Sequence, residues 1–140
     1  MATLDDCDTI IEIEEACFND PWNEMYLKFE IAFSKSSRYY VIEVDGKIIG
    51  YGGTCNEGFK KRVATIAILP EYQSLGYGKE LFTRMIEDIR IKDIILEVDV
   101  ENKVAKKMYE EFGFVVIDYL DDYYQDHHDA YRMERKKDIC

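Results

Sequence analysis

Apolar residues recur along this chain with two periods, and the switches between them divide it into elements. In residues 3–18, TLDDCDTIIEIEEACF, Ile10, Ile13 and Cys17 form a stripe at helical spacing, and Thr3 or Asp5 can cap the start. Asn19-Asp20-Pro21 breaks that helix, and residues 22–34 predict a second, with Trp22, Met25, Phe29 and Phe33 on one side. The period then changes. Residues 39–44 (YYVIEV) predict a strand, Asp45-Gly46 a hairpin turn, and residues 47–55 the returning strand, loosened by Gly50, Gly52 and Gly53. A turn at 56–61 leads into a third strand, 62–69, which completes an antiparallel meander and ends at Pro70.

After a tight loop, Gln73-Ser74-Leu75-Gly76-Tyr77-Gly78, the helical period returns: Tyr77, Leu81, Phe82, Met85, Ile86 and Ile89 share one face. Residues 93–100 (DIILEVDV) predict a buried strand. Because a helix precedes it, it is expected to run parallel to the strand at 62–69. Residues 102–112 predict a helix with the stripe Val104, Ala105, Met108, Tyr109 and Phe112, closed by Gly113. Residues 114–123 and 129–135 predict a closing pair of strands, and 136–140 a polar tail. The order ααβββαβαββ describes one α/β domain over residues 1–140: a mixed, twisted sheet with helices on both faces.

Composition narrows the function classes. Of 140 residues, 47% are hydrophobic and 14% aromatic, enough for one well-filled core. No apolar run reaches transmembrane length and the N-terminus carries no signal-peptide pattern, so a soluble, cytoplasmic protein is expected. The net charge of −11 opposes binding to nucleic acid and anionic membranes; it either attracts a cationic partner such as a basic peptide or simply aids solubility. Cys7, Cys17, Cys55 and Cys140 have no metal-like spacing and are expected to be reduced thiols. His127-His128 has no cysteine nearby, and no metal is expected. The basic run Lys60-Lys61-Arg62 is expected to be a solvated loop tip, with a substrate or cofactor contact as the alternative.

Four features carry chemistry. A strand, a Gly-rich loop and a helix N-terminus together can hold a phosphate: the first backbone N–H groups of a helix lack intrahelical acceptors, and the dipole favours an anion. The spacing is neither a P-loop, which needs Gly at 73 and Ser or Thr at 80, nor a dinucleotide fingerprint, which needs Gly at 81. It is Gln/Arg-x-x-Gly-x-Gly, and an ordinary strand-to-helix turn is the plain alternative. Glu97 interrupts an apolar strand and shares a face with Ile95 and Asp99. It is either a solvated strand end or a general base whose proton affinity is raised by partial burial. Tyr109 is either a core tyrosine or a general acid able to protonate a departing thiolate. Asn102 can cap its helix, bond a ligand amide, or do both.

Together these pieces resemble the GNAT superfamily of N-acetyltransferases, and within it the ribosomal-protein-alanine N-acetyltransferases of bacteria (RimI type), over residues 4–135. The segments that carry the resemblance are IEEACFNDPW ending at Trp22, IGYGG at 49–53, IAILPEYQSLGYGKEL at 66–81, LEVDVEN at 96–102, MYEEFGF at 108–114 and YYQDHHDAYRM at 123–133. The Gly loop and the Tyr-x-x-x-Gly-Phe segment are common to many members; the others are more selective.

The resemblance implies the GNAT fold, acetyl-CoA as co-substrate, and transfer of its acetyl group to the N-terminal α-amine of a protein, a ribosomal protein first. Ile66, Ala67 and Ile68 match the strand whose backbone binds pantetheine and the acetyl group. Gln73, Ser74, Leu75, Gly76, Tyr77, Gly78 and Lys79 match the pyrophosphate loop, and Asn102 a further cofactor contact. Glu97 matches the base and Tyr109 the acid. Trp22, Tyr123 and Tyr124 would border the peptide groove, where Asp121, Asp122, Asp126 and Asp129 could draw in a basic N-terminus. The alternatives are an acetyltransferase for a small amine or another protein, and an acetyl-CoA-binding partner without catalysis. The sequence departs from the family pattern at Asp99, Glu101 and Gln125, which stand where Arg, Ser and Pro are usual. The short segment before the first helix predicts that the family's first strand is truncated or missing, leaving a sheet edge open.

Overall fold

The structure is a computed structural model; it describes residues 6–17, 37–123 and 128–138. The expected helix at 22–34, Trp22 and Tyr124 lie outside the described residues, as do Gln125, Asp126, His127 and the capping positions Thr3 and Asp5. The elements are α1 (Cys7–Cys17), β1 (Ser37–Val44), β2 (Lys47–Glu57), β3 (Lys60–Ile68), a 3-10 turn at Pro70–Tyr72, α2 (Tyr77–Ile89), β4 (Ile94–Asp99), α3 (Lys103–Glu111), β5 (Val115–Leu120) and β6 (Ala130–Arg135). The strands form one mixed sheet in the order β1-β2-β3-β4-β6-β5. The chain falls into two compact units, one of residues 1–56 and 63–88, the other of 57–62 and 89–140.

In the first unit, β1 and β2 form the expected hairpin. Asp45 and Gly46 both take positive φ (51° and 80°), the geometry that matches the twist of paired strands. The alternation of β2 then sorts the two helices. Tyr51, pointing to one face, is fully buried in a cluster with Ile10 and Ile13 of α1, Tyr39 and Ala67. Gly52 points to the other face, where a Cβ would come within 2.5 Å of Met85 Sδ. So α2, whose Leu81, Phe82, Met85, Ile86 and Ile89 are all buried, lies against the bare backbone of β2 on the face opposite α1. Cys17 and Cys55 form no disulfide.

In the second unit, β4 runs parallel to the start of β3, with Lys61 opposite Ile94 and Arg62 opposite Ile95, and antiparallel to β6. Its residues alternate. Ile94, Leu96 and Val98 face the side on which α3 packs, since Val98 is partnered by Tyr131 and Lys106 of α3 sits 5.4 Å over the Tyr131 ring. Ile95, Glu97 and Asp99 face the other side. Asn102 caps α3, accepting the Ala105 N–H at 3.1 Å. The helix closes with Gly113 at φ 93° and Phe114 N–H bonded to the Tyr109 carbonyl. Val104 corrects one expectation: it is 79% exposed, because it sits at the edge of the arc whose centre holds the half-buried Ala105 and Met108 and the buried Tyr109. Among the described residues, no helix is long and apolar enough to cross a membrane.

Candidate active site

The Gly loop stands in the first unit. The Gln73 side chain folds back and donates to the Ile68 carbonyl at 2.8 Å, and Cys17 Sγ donates to the same oxygen at 3.2 Å. The end of β3 is thereby tied to the loop and to α1. Ser74 (φ 64°) and Gly76 (φ 90°) both take the left-handed conformation, which turns the chain sharply into α2. The first intrahelical bond runs from Glu80 N–H to the Gly76 carbonyl, so the N–H groups before it belong to the open end of the helix. A Cβ at Gly76 would meet nothing within 4 Å, and Ser74, Leu75, Gly76 and Lys79 are exposed. This is a solvent-facing helix start with backbone donors, suited to an anionic phosphate group.

In the second unit, Glu97 is the central group. Its side chain is only 7% exposed and is not the lone carboxylate that the apolar strand suggests. Arg62 Nη1 donates to Oε1, and Arg132 Nε donates to Oε2 at 3.0 Å. Tyr123 Oη donates to Oε1 at 3.3 Å. Arg132 is the direct cross-strand partner of Glu97, and Arg62 is the partner of Ile95 on the same face, so both flanking strands deliver a guanidinium to one carboxylate. Arg62 also donates through Nε to Glu57, whose carboxyl is held below its ordinary value by that hydrogen bond. Burial pulls the Arg62 guanidinium down, but the Glu57 hydrogen bond and the Glu97 charge more than offset it and leave it raised.

The basic run at 60–62 is therefore not a solvated loop tip. The turn is shorter than expected, closing at residues 58–59, and all three residues enter β3. Lys60 pairs at 2.6 Å with the buried Glu134, which also meets Lys136 at 3.0 Å. Buried carboxylates need counter-charges, and these are the cations within reach.

Tyr109 is 5% exposed, its ring tilted against Phe114 at 6.1 Å between centroids. Burial pushes its phenol well above the ordinary value, so the proton is retained at neutral pH. Tyr109 and Glu97 share no hydrogen bond: among the described residues the partners of Glu97 are Arg62, Tyr123 and Arg132, and α3 packs on the sheet face opposite the Glu97 side chain. Tyr123 is half exposed and its phenol is raised, chiefly by burial and then by the Glu97 charge.

Asp129 does not act as a loose surface charge. It accepts the Tyr119 hydroxyl and, at 2.8 Å, the Asp122 backbone N–H, and so pins the end of the β5–β6 connection. His128 lies between the two acidic departures, its Nδ1 2.5 Å from Asp99 and its Nε2 3.6 Å from Glu101. These three side chains bring their donor atoms within 4.8 Å of one another.

The first unit thus holds a phosphate-suited loop between a strand and a helix, and the second a buried carboxylate paired with an arginine from the strand on either side, within an α/β fold. Residues 7–114 match the family model described as the acetyltransferase (GNAT) family, and the chain belongs to that family of acetyltransferases. It is 34% identical over 126 residues to a Bacillus subtilis protein provisionally named a ribosomal protein bS18-alanine N-acetyltransferase, covering 88% of this chain and 83% of that one. It is also 34% identical over 149 residues to an N-alpha-acetyltransferase of Sulfurisphaera tokodaii, covering 94% of this chain and 88% of that one. The crystal structure of the ribosomal-protein-S18-alanine N-acetyltransferase from Escherichia coli superposes with a TM-score of 0.88 at 23% identity, over 99% of this chain and 92% of that chain. The GNAT fold expected from the sequence is therefore the fold observed.

Proposed function

We propose that this enzyme transfers the acetyl group of acetyl-CoA to the N-terminal α-amine of a protein, a ribosomal protein foremost. The observation that carries the reading is the 34% identity, over more than four-fifths of both chains, to two relatives whose names specify alanine or N-alpha acetylation. The site chemistry supports it. The backbone donors of residues 73–79 suit the pyrophosphate of acetyl-CoA, with the Ile66–Ile68 segment and Asn102 as further contacts; the bound co-substrate supplies an activated thioester. Glu97 takes a proton from the α-ammonium group, of which a large share is protonated at neutral pH because its pKa is about 7.7–8.0. Tyr109, kept a phenol by burial, offers its proton to the departing sulfur. Tyr123, already in contact with Glu97, would border the acceptor groove with Trp22 and Tyr124.

The specific feature favouring a small cationic amine instead is Asp99, which shares the face of Glu97 and has Glu101 beside it. A thiol-release assay separates the readings. Peptides beginning Ala-Arg or Ser-Arg are compared with their N-blocked forms and with a panel of small amines. Turnover of the free peptides alone is the expected result. Turnover of small amines alone moves the assignment to that substrate class. Acetyl-CoA binding without turnover of any acceptor would refute the proposal as stated.

A further inference from the structure

The acceptor sites of Glu97 are nearly all taken. A carboxylate offers about four lone-pair positions on its two oxygens. Oε1 accepts from Arg62 and from Tyr123, and Oε2 accepts from Arg132. Among the described residues these are its partners, and they leave one position, on Oε2. The arginines come from the strands on either side of β4, and Arg62 is itself held by Glu57. The carboxylate is therefore gripped from both sides, and rotation about its terminal torsion would break charge-assisted hydrogen bonds.

We infer that Arg62 and Arg132 are positioning residues of the acceptor site: they hold the Glu97 carboxylate in one orientation, with the last lone pair of Oε2 presented to the amine that loses its proton. This rests on the reading of Glu97 as the base. In the step itself an N–H bond of the ammonium breaks, its electron pair stays on nitrogen, and the proton bonds to Oε2; both guanidiniums keep their charge. Without Arg132, Oε2 has two open positions and the grip is one-sided, so the amine meets the carboxylate in several geometries and fewer of them react.

The test is a double-variant cycle on the full-length enzyme with one free-amine peptide, reading kcat and KM separately and thermal stability alongside. Glu97→Gln should lower kcat by at least about tenfold. Arg132→Leu should lower kcat about tenfold with little change in KM, Arg132→Lys should recover part of the loss, and in the Glu97→Gln background Arg132→Leu should cost less than about twofold, because residues that act through one another are not additive. If the losses add in the double variant, or if Arg132→Leu alone leaves kcat unchanged, the positioning role is overturned while the base survives. If Glu97→Gln keeps kcat within about threefold of the parent, the reading of Glu97 as base fails first. Should Arg132→Leu not fold, Arg62→Gln is carried through the same cycle and decides by the same criterion.

Discussion

Replacing Tyr40 with phenylalanine should change how stability depends on alkaline pH. Tyr40 lies on β1, 4% exposed, and its hydroxyl donates to Asp88 Oδ2 on α2 at 2.6 Å. Burial first, and then the hydrogen bond and charge of Asp88, push its phenol up to about 12 from an ordinary 10.0. A phenol that holds its proton more tightly in the folded chain contributes its full stabilisation below the unfolded value. That stabilisation is lost as pH rises from there to the folded value, because the unfolded chain releases the proton first. For Tyr40 the loss is about 0.4 kcal/mol at pH 10 and about 1.4 kcal/mol at pH 11. The phenylalanine variant also forfeits the hydrogen bond to a carboxylate, about 1.5 kcal/mol at pH 8. The variant should therefore be less stable than the parent at pH 8, with the gap almost closed at pH 11. Urea unfolding at pH 8, 9, 10 and 11, with a common slope, measures this directly. Two curves that stay parallel across the range would refute the account of Tyr40.

Further outcomes follow from the same geometry. Gly50→Ala should destabilise by about 1–3 kcal/mol, since its Cβ would lie 2.4 Å from Ile68 Cδ1 and 2.8 Å from the Ala67 carbonyl oxygen, an overpacking that backbone cannot easily relieve. Gly52→Ala should cost less in the same melting experiment, because the atoms its Cβ meets first are the flexible end of Met85. Asn102→Ala should lower stability by about 1 kcal/mol through loss of the helix cap; a separate rise in the KM for acetyl-CoA, measured at saturating acceptor, would mark the additional cofactor contact. Tyr109→Phe should lower turnover by at least about tenfold while the protein still melts cooperatively, and unchanged turnover would remove Tyr109 from the mechanism.

What could be read in the sequence was local. The stripe of α2, the Asp45-Gly46 turn, the Asn102 cap and the Gln73–Gly78 loop each depend on residues within about one or two turns of chain, where period and turn chemistry are written directly. The edges of those patterns were less secure, as exposed Val104 shows. The resemblance to the acetyltransferases rested on the same kind of short segment and was matched by the family model over residues 7–114. The strand pattern singled out Glu97 and the resemblance gave it an expected role, but neither showed its company.

The chain's own letters thus sufficed for the described elements, their order, the parallel run of β4 beside β3 and the family. They did not show what surrounds Glu97. Arg62 and Arg132 each stand 35 positions from it, on different strands, and nothing in the local pattern of either segment pairs them. Only the strand order, which sets β4 between β3 and β6, and the registers, which put Arg132 opposite Glu97 and Arg62 opposite Ile95, bring three charges onto one face. The same folding turned Lys60 and Arg62 from a basic loop into counter-charges for buried carboxylates. Hydrophobic period is a property of neighbours in sequence; charge compensation is a property of neighbours in space, and it exists only once the sheet has formed.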